Sequence, residues 1–278
     1  RRAGRGKGVR PTPVAEAAEE LGLPVRPVED INAPAEVAAL KALAADVTVV
    51  VDFGQIIRKA ARNAARLRSI NLHGSVLPAL RGAAPVNWAI IRGYPTTGVT
   101  VFRIVRRMDA GPVFSIRQTP IKPGERADEL RDRLAVLGVE AVLEALDLLA
   151  ADARRRPQDE SRATLAPRLA KADGRLDFGV EAVDLRNLIH GTWPWPAAQA
   201  TYYSTGGKAT AVQIARAAAH PGPPVAPPGE VLEAGSVAAG AGRIEILEIK
   251  PAGKRLMRWR QFANGYRAGS GASFGPPT

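Results

Sequence analysis

The chain has 278 residues, 46% of them hydrophobic, which suits one large or two ordinary globular domains and excludes a disordered segment. It has no cysteine, which excludes disulfides, thiolate metal sites and a cysteine nucleophile and fits a reducing cytoplasm; three scattered histidines are too few for a histidine-rich metal site. The net charge of +12 points to a polyanionic partner, because basic surfaces gain affinity by displacing counterions from phosphates.

Arg1 to Arg10 holds five cations and no acid, a composition shared with mitochondrial transit peptides. Its glycines, with Pro11 and Pro13 close behind, spoil the amphipathic helix such a peptide needs, so a basic loop is expected. Val14 to Leu21 reads as a short helix ended by Gly22 and Pro24, and Ala35 to Ala45 as a second one. The β-branched run from Asp46 to Val51 has the texture of a strand buried on both faces. Ile70 to His73 and Gly98 to Phe102 are further strands, with a helix from Pro85 to Arg92 between them. This alternation predicts an α/β fold with an open, largely parallel, Rossmann-like sheet.

A long helix is expected from about Glu125 to Ala153, its leucines near a 3.6 period. A polar stretch, residues 154–175, reads as a linker. Beyond Leu176 come short β-prone runs, among them Ala211–Ile214, Gly229–Leu232 and Ile244–Ile249, separated by Gly and Pro. The expected division is therefore 1–153, a linker over 154–175, and a smaller β-rich unit over 176–278. No Gly-rich loop joins a first strand to a first helix, so dinucleotide and nucleoside-triphosphate binding lose their main support. An opening strand–helix unit is expected upstream of Arg1.

The densest chemistry lies between Ile70 and Trp88. Strand alternation puts Asn71 and His73 on one face, and Gly74 and Pro78 end the strand where ligands bind in open α/β sheets. An amide and an imidazole aimed at one point can stabilise an oxyanion, and the imidazole can also move a proton. A lone histidine is more often a paired structural one, yet His73 sits beside Asn71, Ser75 and the Arg81-Gly82 turn. Ser75 as a hydrolase nucleophile is weak, since nothing resembles a GxSxG elbow. Asp109, in Met108-Asp-Ala-Gly-Pro-Val113, could orient His73 or merely cap a turn before Gly111.

Asn71-Leu-His73, Ser75-Val-Leu-Pro78, Arg81-Gly-Ala-Ala-Pro85, Thr97-Gly-Val-Thr100 and Asp109-Ala-Gly-Pro112 together resemble the folate-dependent formyltransferases. In that family an Asn-x-His precedes Ser-Leu-Leu-Pro, Arg-Gly and Asp-Thr-Gly in this order. Three further segments resemble the branch that formylates methionyl-tRNA: the opening Arg1-Arg-Ala-Gly-Arg-Gly-Lys7, Trp193-Pro-Trp-Pro196, and Ile249-Lys-Pro-Ala-Gly-Lys-Arg-Leu-Met257. The likeness covers nearly the whole chain. The chain departs from the family pattern at Arg58, where relatives carry a proline, and at Arg106-Arg107, where an acidic residue often stands.

The resemblance implies the formyltransferase fold followed by an OB-like domain, and 10-formyltetrahydrofolate as the donor substrate with no metal. Initiator methionyl-tRNA is then the acceptor, and the enzyme a cytoplasmic monomer without a membrane anchor. Asn71, His73 and Asp109 would carry the transfer. Ser75, Val76, Leu77, Pro78, Phe53 and Gly54 would line the folate site. Arg1, Arg2, Arg5, Lys7 and Arg10 would meet tRNA phosphates. Two alternatives stay open: a formyltransferase acting on a small amine such as glycinamide ribonucleotide or a nucleotide-linked amino sugar, and a retired enzyme scaffold that binds RNA.

Overall fold

The protein is described by a computed structural model covering residues 2–3, 8–9, 11–153 and 155–276. At the start Arg2–Ala3 (β1) pairs antiparallel with Gly8–Val9 (β2). Pro13–Glu20 (α1) follows, with Thr12 as its N-cap and proline at its first position, where the missing N–H costs nothing. Then come Pro34–Ala42 (α2), Thr48–Val51 (β3), the short Lys59–Arg62 (α3), Ser69–His73 (β4), Pro85–Ile91 (α4), Thr96–Arg103 (β5) and Val113–Pro120 (β6).

These strands form a sheet in the order β3-β4-β5-β6. The Rossmann-like reading holds, but the described sheet is mixed: β3 and β4 are parallel, whereas β4–β5 and β5–β6 are antiparallel. The β3 strand also corrects the expectation of burial on both faces. It is an edge strand among the described residues, with Val50 buried but Val49 and Val51 40% and 56% exposed. Its β-branched run signalled strand propensity, which says nothing about a strand's place in the sheet.

Ala127–Ala150 (α5) lies across this sheet. Its buried residues Ala127, Leu130, Leu134, Gly138, Ala141, Ala145 and Leu149 recur every three or four positions, and the alanines and leucines among them pack in one cluster with Ile70, Val99 and Val101. Each fully buried leucine contributes about 1.5–3 kcal/mol relative to exposure. The Glu129 side chain accepts from the Arg126 backbone N–H at 2.9 Å and so closes the helix start.

The second sheet is antiparallel, ordered β11-β10-β8-β7-β12 with β9 beside β10. Its strands are Ala198–Tyr203 (β7), Ala209–His220 (β8), Ser236–Ala238 (β9), Arg243–Pro251 (β10), Met257–Arg258 (β11) and Ser273–Gly275 (β12). Ala182–Thr192 (α6) and Trp259–Tyr266 (α7) cover it, two helices the sequence reading did not anticipate. The expected strand at Gly229–Leu232 is reduced to isolated bridges from Glu230 to Ser273 and from Val231 to Val237. Pro227 and Pro228 immediately before it remove ladder donors.

The two sheets touch through polar contacts. Asn87 of α4 donates to the Gly191 carbonyl of α6 at 2.7 Å. Arg126 pairs with Glu248 at 3.1 Å and lies over the Trp193 ring, and Arg216 pairs with Glu129. His190 is buried beside this cluster. Burial first, then the nearby Arg216, Arg186 and Arg126 charges, lower its pKa to about 4, and its Nε2 accepts the Ala217 backbone N–H at 3.1 Å.

Candidate active site

Because β3 and β4 run parallel, both leave the sheet at the same end. Phe53 and Gly54 follow β3 there and are exposed, while His73 is the last residue of β4. Asn71 is half-buried and donates from Nδ2 to the Val50 carbonyl of the neighbouring strand at 3.1 Å. A carboxamide carries two N–H groups, so one remains for a ligand. His73 is buried; its Nε2 lies 2.9 Å from the Leu80 carbonyl, and Phe102 meets its ring edge-on.

The structure brings Asp109 to His73. Its Oδ2 lies 3.9 Å from His73 Nδ1 and accepts the Gly82 backbone N–H at 2.8 Å. Both ring nitrogens of His73 thus face oxygen atoms, Nε2 within hydrogen-bond distance of the Leu80 carbonyl and Nδ1 3.9 Å from Asp109 Oδ2. Asp109 holds a left-handed backbone with φ of 49°, a region aspartate tolerates better than most side chains. The loop around it closes tightly. A Cβ on Gly111 would overlap the Arg103 carbonyl, and one on Gly82, at φ 126°, would overlap the Ala166 carbonyl. Gly111 therefore lets the Asp109 loop close on the end of β5, and Gly82 lets residue 166 approach the turn that follows His73.

Between them runs the segment from Ser75 to Pro78. Ser75 is buried and donates from its hydroxyl to the Ala79 carbonyl at 2.6 Å. That contact makes it a turn-forming residue and leaves the hydrolase option without support. Thr100 of β5, opposite His73 in the register, donates to the Ser75 carbonyl and accepts from the Leu77 N–H. Leu77 points inward among Phe102 and Val113; Val76 and Pro78 are half-buried. The side chains of Arg1, Arg2, Arg5, Lys7 and Arg10 lie outside the described residues.

Residues that the sequence reading passed over complete the site. Arg81, 4% exposed, holds Glu160 with two contacts of 2.9 Å, and its Nε and Nη2 donate to Gln158 Oε1. Gln158 Nε2 donates to the Asp109 and Gly111 carbonyls, each at 2.8 Å. Arg81 stood inside a quoted motif, so a signal existed for it. Gln158 and Glu160 sit in a polar connector with no local signal. Among the described residues, no group of three or more His, Asp or Glu could hold a metal ion, and no helix is long and apolar enough to cross a membrane.

Residues 1–146 match the family described as formyl transferase, and residues 168–267 its C-terminal domain. A methionyl-tRNA formyltransferase of Chlorobium phaeovibrioides is 43% identical over 270 residues, covering 95% of this chain and 83% of that protein. One from Symbiobacterium thermophilum is 40% identical over 282 residues, covering 99% and 85%. Among solved structures, the sugar 3N-formyl transferase WlaRD, studied with dTDP and 5-N-formyl-THF, has a TM-score of 0.63 at 14% identity, covering 86% of this chain and 81% of that one. HypX from Aquifex aeolicus in complex with tetrahydrofolic acid has a TM-score of 0.61 at 20% identity, covering 83% and 40%. At these identities the two structures establish a shared fold.

Proposed function

Since this chain belongs to the formyl transferase family, we propose that it moves a formyl group from 10-formyltetrahydrofolate to the α-amino group of initiator methionyl-tRNA. This reading is supported by the approach of Asp109 to His73 at the end of β4, two residues beyond Asn71, in a chain about 40% identical to methionyl-tRNA formyltransferases over nearly its whole length. The absence of cysteine suits the reducing cytoplasm where such an enzyme would act as a monomer.

The amine nitrogen forms a bond to the formyl carbon, and the carbonyl π pair moves onto oxygen. The second N–H of Asn71 is one donor for that oxyanion, and His73 Nε2, released from the Leu80 carbonyl it faces in the free protein, would be the other. Asp109 Oδ2 faces His73 Nδ1 and would orient its ring. The 3.9 Å separation is typical of a site that tightens on its substrate. When the oxyanion collapses, the bond from the formyl carbon to the folate nitrogen breaks. The attacking amine loses one proton and the departing nitrogen gains one, with His73 as the relay. Phe53, Gly54 and the segment from Ser75 to Pro78, with Val76 and Pro78 as its more accessible side chains, are the candidates to edge the pterin. The cations from Arg1 to Arg10 are the candidates for the acceptor-stem phosphates.

The test is formylation of charged initiator tRNA with 10-formyltetrahydrofolate, comparing the parent with His73→Ala. We expect the variant to lose about 100- to 1000-fold in kcat while still binding tRNA. Activity within threefold of the parent would remove His73 from the mechanism. A parent that formylates an amino sugar nucleotide or glycinamide ribonucleotide and leaves tRNA untouched would move the chain to the small-amine branch.

A further inference from the structure

Gln158 lies outside the sheet, in the connector between the two sheets, yet it is bonded to both loops of the candidate site. The two loops also meet where Asp109 accepts the Gly82 N–H and where Glu160 pairs with both Arg81 and Arg107. The Gln158 carboxamide joins the main chain of the Asp109 loop to the Arg81 side chain: its Nε2 serves the carbonyls of Asp109 and Gly111, and its Oε1 takes two N–H groups of the Arg81 guanidinium. Two carbonyls on one side and a guanidinium on the other leave one orientation for the amide.

The connector grips the His73 loop as well. Thr164 Oγ1 accepts the Leu80 N–H at 2.9 Å, and the Thr164 carbonyl accepts the Arg81 N–H at 2.8 Å. The Arg81 carbonyl in turn accepts from Ala166 at 2.7 Å. Leu80 is the residue whose carbonyl faces His73 Nε2. Residues 158–166 therefore strap the acceptor of His73 to the backbone of Asp109, and the strap continues directly into the second sheet, where Leu176 donates to the Gln199 carbonyl.

We propose that Gln158 is a positioning residue for formyl transfer, holding the Asp109 carboxylate at His73 through its grip on the Asp109 and Gly111 carbonyls. This rests on the assignment of His73 and Asp109 made above. Its carboxamide is engaged by Arg81 and by the two carbonyls, so it acts through the loop. Its position in the connector also makes the second sheet's placement a condition for the geometry of the first sheet's site.

Two variants test this in the full chain. Gln158→Met keeps the volume and loses every hydrogen bond. Gln158→Glu keeps the acceptor for Arg81 and sets an oxygen against two carbonyl oxygens. With initiator methionyl-tRNA and 10-formyltetrahydrofolate, both should lose about 100-fold in kcat with KM for each substrate within about threefold of the parent, since displacement of a reacting group by about an ångström costs that much. A Gln158→Glu kcat within about threefold of the parent, alongside an inactive His73→Ala, would overturn the proposal and leave the site assignment standing. A parallel fall of kcat and tRNA affinity in both variants would also overturn it, marking Gln158 as a residue of general stability. An equally active His73→Ala would instead sink the assignment on which the proposal rests.

Discussion

Behind β7, β8 and β10 a single apolar cluster runs from Leu176 to Phe274, and Tyr202, Phe262 and Phe274 interlock in it at ring separations of 5.1–5.3 Å. Under the candidate site the core instead breaks into pieces. Leu77, Phe102 and Val113 form one small cluster and Leu80, Ala89 and Ala166 another. Between them lies a polar network of His73, Asp109, Arg81, Gln158 and Glu160. The second sheet is thus held by non-directional burial, which tolerates sequence change as long as volume is kept. The site is held by directional bonds, each with one geometry, and it gives up packing to have them.

That contrast predicts how the two regions fail. Phe262→Ala removes a fully buried ring from the large cluster and should cost about 3–5 kcal/mol of stability, with kcat per folded molecule unchanged. Leu77→Ala, in the small cluster, should cost at most about 2–3 kcal/mol yet lower kcat, because it loosens the segment between His73 and the strand beneath it. Chemical denaturation combined with steady-state kinetics below the transition separates the two. Equal kinetic effects would erase the distinction.

The boundary between the regions is sensitive to pH. His190 has a folded-state pKa lowered from 6.5 to about 4, so the unfolded chain binds a proton that the folded one refuses. Its contribution to stability is fully present above pH 6.5 and is lost as pH falls toward 4, amounting to about 3 kcal/mol across that window. Denaturation midpoints measured from pH 7 to pH 4 should show this slope, and His190→Gln, which keeps an acceptor for the Ala217 N–H, should flatten it. The smallest effect is expected at the sheet edge. Arg66 and Asp46 pair at 2.7 Å but are 70% and 71% exposed, so Arg66→Ala should change stability by less than about 1 kcal/mol. A larger loss would mean that surface pairs support the first sheet more than its divided core suggests.

Most elements of the first sheet were legible in the sequence because their signals are local. Pro85 opened α4, Gly22 and Pro24 closed α1, and the three-to-four spacing of Leu130 and Leu134 marked α5. Ala182, Leu185 and Ile189 carry the same spacing in α6, a legible signal that passed unread beside the glycine and prolines following it. Strand direction was not legible, since a β-branched run is compatible with parallel and antiparallel neighbours alike.

For the candidate site, residue types and order alone singled out Asn71, His73 and Asp109 and carried the family resemblance. Only the tertiary structure decided that Asp109 Oδ2 reaches His73, that Ser75 is spent on a turn, and that Gln158, far along the chain in a connector without pattern, binds both loops. The division has a physical cause. Propensity, capping and amphipathic period act between residues a few positions apart and are written in the chain. A hydrogen bond between distant loops exists only after burial has brought them together, and nothing in the residues flanking Gln158 records its partner.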